Sequence, residues 1–202
     1  MNKKTILSII LLLVSIPVTS WSIEKDCLPP EMIPENMFPT IKLETSLGDI
    51  EVELDRLRAP ISGNNFLRYV LEGEYDGTIF HRVMPGFVVQ GGAYTKDIEE
   101  KMLHPTIFNE SGNGLKNSTG TIAMARYDDP HTAGRQFYFN MNNNASLDPR
   151  PRSWGYAVFG QVVAGMEVLE AIAAVDTGFS EALGAEDVPL VPVVLIRASV
   201  LE

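Results

Sequence analysis

Between residues 40 and 201 the apolar residues recur with period two, in short runs. No other feature of the chain restricts its fold as much. The stretch "TIKLETSLGDIEVELD" sets the pattern: Ile41 and Leu43 alternate with Lys42 and Glu44, and Ile50, Val52 and Leu54 with Glu51 and Glu53, across a turn at "SLGD". Successive strand residues face opposite ways, so these two runs predict a half-buried β-hairpin. "TIFHRV", "FVVQGG", "TIAMAR", "RQFYFNM", "YAVFGQVV" and "VPVVLIRASVLE" follow, separated by turn-rich pieces. Helical spacing occurs twice. Ile61, Phe66, Tyr69 and Val70 form one stripe, with Pro60 suited to its start and Gly73 to its end; Met166, Leu169, Ile172 and Ala173 form another. The glycines and acids after the second stripe read as a loop. Strands and helices do not alternate, which favours an antiparallel barrel with helices capping its ends over a parallel sheet.

The N-terminus reads differently. "MNKKTILSIILLLVSIPVTSWS" has two lysines, an apolar run from Ile6 to Val14 and then small polar residues, the layout of a secretory signal peptide. The run falls short of the roughly 20 residues a membrane span needs. Residues 1–22 are therefore expected to be an export signal, with cleavage after Ser20 or Ser22. Residues 23–39, with four prolines, read as an irregular leader, and 40–202 as the working domain. Cys27 is the chain's one cysteine, so an internal disulfide is impossible and the domain must stand on its core. At 202 residues and 45% hydrophobic content it has enough for one. The formal charge of −10 becomes −12 once the signal and its two lysines are removed. A chain this acidic is not expected to bind nucleic acid, which requires a basic surface. His81, His104 and His131 lie far apart without cysteine companions, so no metal site is expected. The three N-x-S/T matches, at Asn109, Asn117 and Asn144, read as chance.

"FHRVMPGFVVQGG", at residues 80–92, carries the chemistry. In a regular strand Phe80 and Arg82 share one face, with His81 and Val83 on the other. Val88 and Gln90 share a face, as do Gln136 and Tyr138, with Phe137 and Phe139 opposite. Two segments thus each offer a polar group beside an apolar one, the make-up of a shallow binding groove.

This stretch resembles the signature of the cyclophilins, the cyclophilin-type peptidyl-prolyl cis-trans isomerases. The likeness continues through "GTIAMAR", "RQFYFN", "LD" at 147–148 and "GYAVFGQVVAGMEVLEAI", and spans roughly residues 40 to 201. The tyrosine of "GYAVFG" resembles the bacterial exported branch. The resemblance implies a closed eight-stranded antiparallel β-barrel with a helix over each open end. It implies isomerisation of X-Pro bonds in unfolded or flexible proline-containing polypeptides, without cofactor or metal, here in the periplasm and in aid of protein folding. Arg82 matches the catalytic donor, and Gln90 the glutamine that hydrogen-bonds substrate and steadies the arginine. Phe87 matches the floor of the proline pocket, Val88 a position usually methionine, and Leu147 the pocket wall. Ala125 and Gln136 match groove residues. Tyr138 stands where phenylalanine is usual, and Tyr156 replaces the histidine of the eukaryotic branch. His81 is expected to be structural.

Two departures carry expectations. The Tyr138 hydroxyl needs a partner, and activity should survive it with altered substrate preference. Ser146 lies where many relatives carry an aromatic that holds cyclosporin, so weak cyclosporin binding is expected. Trp154 lies near the groove as a substitute aromatic face, and Arg126 and Arg135 near its rim, where they would favour acidic peptides. The chain is expected to act as a monomer, though no residue speaks for or against a dimer. The competing reading is a non-catalytic peptide-binding chaperone module on the same barrel, its pocket altered by Tyr138 and Ser146.

Overall fold

A computed structural model describes residues 36–201. The signal-type segment 1–22, Cys27 and the leader up to residue 35 lie outside the described residues. β1 (Thr40–Thr45) and β2 (Gly48–Leu54) form the hairpin that the alternation predicts, with Ile41 opposite Val52 and Leu43 opposite Ile50, all four inside the core. β3 (Thr78–Met84), β4 (Val88–Thr95), β5 (Thr121–Met124), β6 (Phe137–Asn140), β7 (Val158–Ala164) and β10 (Val194–Val200) complete a closed barrel. Its order is β1-β10-β3-β4-β6-β5-β7-β2, and every pair is antiparallel. Closure removes the open edges through which an antiparallel sheet would pair with other chains.

The helices serve opposite ends of β2. α1 (Pro60–Leu71) follows the Leu54 end and buries Phe66, Leu67, Tyr69 and Val70. Phe66 meets Phe137 edge-on at 5.3 Å and Phe159 at 5.2 Å, so this helix closes the barrel with aromatic rings. Each such ring contributes roughly 1.5–3 kcal/mol by burial alone. Ile61, counted in the apolar stripe, is instead exposed in the first turn. There the free N–H groups of Ile61 and Ser62 donate to the Glu110 carboxylate, 3.0 and 2.6 Å away, which satisfies a helix start that has no cap of its own. α2 (Met166–Ala173) packs at the Gly48 end of β2 and buries Leu169, Ile172 and Ala173.

Two expectations fail. The segment after α2 is not a plain loop: β8 (Thr177–Ser180) and β9 (Ala185–Pro189) form a separate hairpin that packs against β3. More important, strand alternation breaks inside the signature stretch. Phe80 pairs with Gly91 but Arg82 pairs with Gln90, so two steps on β3 match one on β4. This is a β-bulge at His81. Phe80 and Val83 therefore both point into the core, and His81 and Arg82 both point out; Phe80 and Arg82 do not share a face. Gly91 permits the inward turn, because a Cβ there would lie 2.9 Å from the Phe80 ring. The Pro85-Gly86 bend is a four-residue turn, closed by the Phe87 N–H on the Met84 carbonyl at 3.0 Å, with Gly86 at φ 70°.

Candidate active site

On the outer face of β4, β5, β6 and β7, Val88, Ala123, Tyr138 and Val158 form a second, smaller apolar cluster. Phe87, Ala125, Leu147 and Tyr156 pack over it. Val88, Tyr138 and the four residues packed over the cluster, with Arg82, Gln90 and Arg126, wall a groove of about 230 Å³. Eight of the nine residues singled out from the sequence line it, namely Arg82, Phe87, Val88, Gln90, Ala125, Tyr138, Leu147 and Tyr156. Gln136, the ninth, stands in the adjoining cavity and touches the groove through Gln90.

Each wall is held by identifiable bonds. The Phe87 carbonyl accepts from the Met141 N–H and the Asn144 side-chain amide, both at 2.8 Å, which fixes the groove floor to the 141–147 loop. The Tyr156 N–H donates to the Leu147 carbonyl at 2.9 Å and brings two distant segments together as one wall. Gln90 Nε2 donates to Gln136 Oε1 at 2.9 Å, which turns Gln90 Oε1 towards Arg82. The Arg82 Nη1 to Gln90 Oε1 contact is 3.5 Å, at the outer limit of a hydrogen bond. Among the described residues no carboxylate pairs with Arg82. Its donors are thus steered but largely unspent, and available to a bound molecule.

The extra hydroxyl of Tyr138 has a partner. It donates to Asn117 Oδ1 at 2.8 Å, beneath the groove; Asn117 in turn donates from its backbone and side chain to Asp148 Oδ1 at 2.9 and 3.1 Å. Burial, with Tyr156 beside it, raises the phenol well above its ordinary pKa, so it remains a neutral donor. Asn117 was unremarkable in the sequence except as an N-x-T match. It is 2% exposed, so its amide serves the pocket.

Other expectations shift. Arg135 is not at a rim: it is fully buried and donates to the carbonyls of Gly92, Met102 and Glu74. Arg126 does border the groove, its guanidinium 4.5 Å over the Tyr156 ring and held by the Tyr127 and Trp154 carbonyls. The Trp154 ring turns away, edge-on to His131 at 5.2 Å, and does not line the groove. His104 and His131 both have partners: His104 Nε2 lies 2.6 Å from the Glu72 carboxylate, and His131 Nδ1 accepts from the Asn109 N–H at 3.2 Å. Among the described residues no group of three His, Cys, Asp or Glu side chains could hold a metal ion.

His81 is 8% exposed and its buried Nδ1 has no hydrogen-bond partner. Burial, aided by the Arg82 charge, lowers its pKa to about 4; the Ile79 carbonyl and the Gln136 side chain oppose this only in part. A histidine depressed in the folded state stabilises fully above its unfolded pKa of about 6.5 and progressively loses that contribution as pH falls towards 4. His81→Gln should therefore lose less stability than wild type between pH 7 and 4, measured as urea midpoints across that window. Parallel losses would show that His81 does not titrate as described.

Comparisons with known proteins agree with this geometry. The sequence model of the cyclophilin type peptidyl-prolyl cis-trans isomerase family matches residues 40–200. The chain is 48% identical over 165 residues to peptidyl-prolyl cis-trans isomerase cyp18 of Streptomyces antibioticus, covering 80% of this chain and 98% of that one. It is 47% identical to peptidyl-prolyl cis-trans isomerase A of Dickeya dadantii, covering 80% and 84%, and 42% identical to isomerase B of Escherichia coli, covering 80% and 99%. A cyclophilin type isomerase of Cryptosporidium parvum, solved in the presence of the dipeptide Ala-Pro, superposes with a TM-score of 0.66 at 22% identity over 81% of this chain and 99% of that one. The barrel, the matched signature and these relatives together place the chain in one family: it belongs to the cyclophilin-type peptidyl-prolyl cis-trans isomerases.

Proposed function

We propose that Arg82 is the catalytic donor of this isomerase and that Gln90 is the group which holds it on the substrate. The observation that carries the reading is a permanently charged guanidinium, with no ion-pair partner among the described residues, at the wall of a groove built on an apolar cluster. A peptide bond resists rotation by about 18–20 kcal/mol because its resonance must be broken. No bond is made or cut. The groove need only bind the twisted amide better than either planar form. At the twist the proline nitrogen regains its lone pair and accepts from Arg82, which cannot lose its proton. Phe87, Val88, Leu147 and Tyr138 hold the ring, Tyr156 and Ala125 flank it, and Gln136 fixes Gln90. The apolar walls lower the local dielectric and strengthen the donor.

The substrates are proline-containing unfolded or flexible polypeptides. Exchange NMR of a short X-Pro peptide with the mature chain tests this. Accelerated cis-trans exchange at substoichiometric protein is expected; binding without acceleration would favour a non-catalytic peptide-binding module.

The chain works as a monomer in the periplasm on exported proteins, with residues 1–22 as its signal, 23–39 as leader and 40–202 as its working domain. The basic start and short apolar run support export. Mass spectrometry of the protein from a bacterial envelope should show an N-terminus after Ser20 or Ser22; an intact Met1 would overturn the assignment. Cyclosporin should inhibit weakly, because exposed Ser146 supplies no aromatic surface and Trp154 does not replace it. Nanomolar inhibition would refute this.

A further inference from the structure

Two sets of hydrogen bonds support the groove. One, Gln136–Gln90–Arg82, serves the donor. The other lies beneath the apolar walls and joins Asn117, Asn140 and Asn144, all three buried. Asn117 is its hub. Its Oδ1 accepts from the Tyr138 hydroxyl at 2.8 Å and from Asn140 Nδ2 at 3.2 Å. Its Nδ2 donates to Asp148 Oδ1 at 3.1 Å and to the Tyr156 carbonyl at 3.4 Å. Its backbone N–H donates to the same Asp148 oxygen, and its carbonyl accepts from the Asn144 N–H at 2.8 Å. A side-chain amide offers two donors and two acceptor sites, and here all four are used. The amide cannot be reversed, because its NH2 would then meet the Asn140 NH2 and its oxygen the Asp148 carboxylate. From this hub the bonds reach four residues that line the groove. Tyr138 and Tyr156 are bonded to Asn117 directly. Asn140 Oδ1 accepts from Asn144 Nδ2, which also donates to the Phe87 carbonyl, both at 2.8 Å. The Asn144 carbonyl accepts from the Leu147 N–H at 2.8 Å. A fully satisfied buried network rigidifies what it joins.

We propose that Asn117 is a positioning residue for the isomerisation: it holds Tyr138, Phe87, Leu147 and Tyr156 so firmly against one another that the groove grips the five-membered proline ring and rejects a larger one. The amide twists only if one side of it is held while the other turns, so a pocket that yields loses selectivity for the ring and rate together. The Tyr138 hydroxyl takes part from below, as an anchor of its own ring rather than as a contact to substrate. All of this rests on the Arg82 groove being the catalytic site.

The test uses two peptides that differ by one methylene: Ala-Ala-Pro-Phe, and its analogue with six-membered pipecolic acid in place of proline. Their kcat/KM is measured by exchange NMR with wild type, Asn117→Ala, Tyr138→Phe and Thr45→Val, under conditions where each is folded, beside the urea midpoint of each. Thr45→Val is the control: the buried Thr45 hydroxyl donates to the Gly48 carbonyl at 2.7 Å in the β1–β2 turn, and Thr45 does not line the groove. Wild type should favour proline by at least about tenfold, the worth of one methylene in an apolar pocket that does not yield. The preference should fall to about threefold or less in Asn117→Ala, and to an intermediate value in Tyr138→Phe, which removes one bond of the network. Thr45→Val should keep the preference at a lowered urea midpoint. No proline preference in wild type overturns the role of Asn117. So does a preference that Asn117→Ala retains, or one that Thr45→Val loses equally, which would assign it to overall stability. Should Asn117→Ala not fold, Tyr138→Phe decides: a reduced preference supports the role and an unchanged one overturns it. Failure of wild type to turn over the proline peptide removes the groove reading, and the role of Asn117 with it.

Discussion

Arg82→Ala should lose about 10²–10³ of kcat/KM on an X-Pro peptide and unfold at an unchanged urea midpoint. The rate figure is that for removing one preorganised donor aimed at charge that develops in the transition state. The stability figure follows from the surroundings of Arg82. The side chain is only partly buried, and among the described residues its one hydrogen-bond contact is the 3.5 Å approach to Gln90. Substitutions at such positions usually stay within about 0.5 kcal/mol. Arg82→Lys should fall between the two, because an ammonium keeps the charge but loses the planar fork. Exchange NMR on both variants beside wild type decides the matter. Undiminished exchange in Arg82→Ala would move the catalytic role elsewhere in the groove.

Arg135→Met should cause the largest loss of stability, about 3–5 kcal/mol, the usual cost of removing one side of a buried charged network. Arg135 has no exposed surface. It donates from Nε to the Gly92 carbonyl, from Nη1 to the Met102 carbonyl and from Nη2 to the Glu74 carbonyl, and its guanidinium lies 5.2 Å from the Tyr69 ring. It thereby ties β4, the chain at Met102 and the turn after α1 to the stretch that leads into β6. Methionine replaces the stem but leaves the Gly92 and Met102 carbonyls without this donor, while the Glu74 carbonyl keeps Lys101 Nζ at 2.7 Å. The urea midpoint should fall with the slope unchanged. A loss below about 1 kcal/mol would show that water reaches those carbonyls. The folded fraction should isomerise normally, since Arg135 does not line the proline groove.

The two arginines show where sequence reading succeeds and fails. The place of Arg82 in the groove was legible from the likeness of its motif, and its neighbours in the chain, from Phe80 to Gly92, build most of the strand pair and turn that present it. Arg135 was read as a rim residue because it neighbours the groove residue Gln136. Its real surroundings come from positions 33 to 61 residues away, and no local pattern announces them. Asn117 was missed for the same reason, since it serves Tyr138 from 21 residues away. The bulge at His81 was missed because it is a property of the β3–β4 pairing, not of β3. Alternation alone put Phe80 beside Arg82; the cross-strand register put it in the core.

The sequence by itself determined the antiparallel class of the barrel and its two helices, because period-two and helical spacing are enforced by burial along each segment. The residues that line the groove were read from the likeness of its motifs to the cyclophilins. The tertiary structure decided which way His81 faces, what anchors the Tyr138 hydroxyl and where Arg135 is spent. It also decided that a hairpin after α2 lies against β3, the strand that carries Arg82. Each of these depends on pairings and contacts between segments far apart in the chain, and those exist only once the barrel has closed.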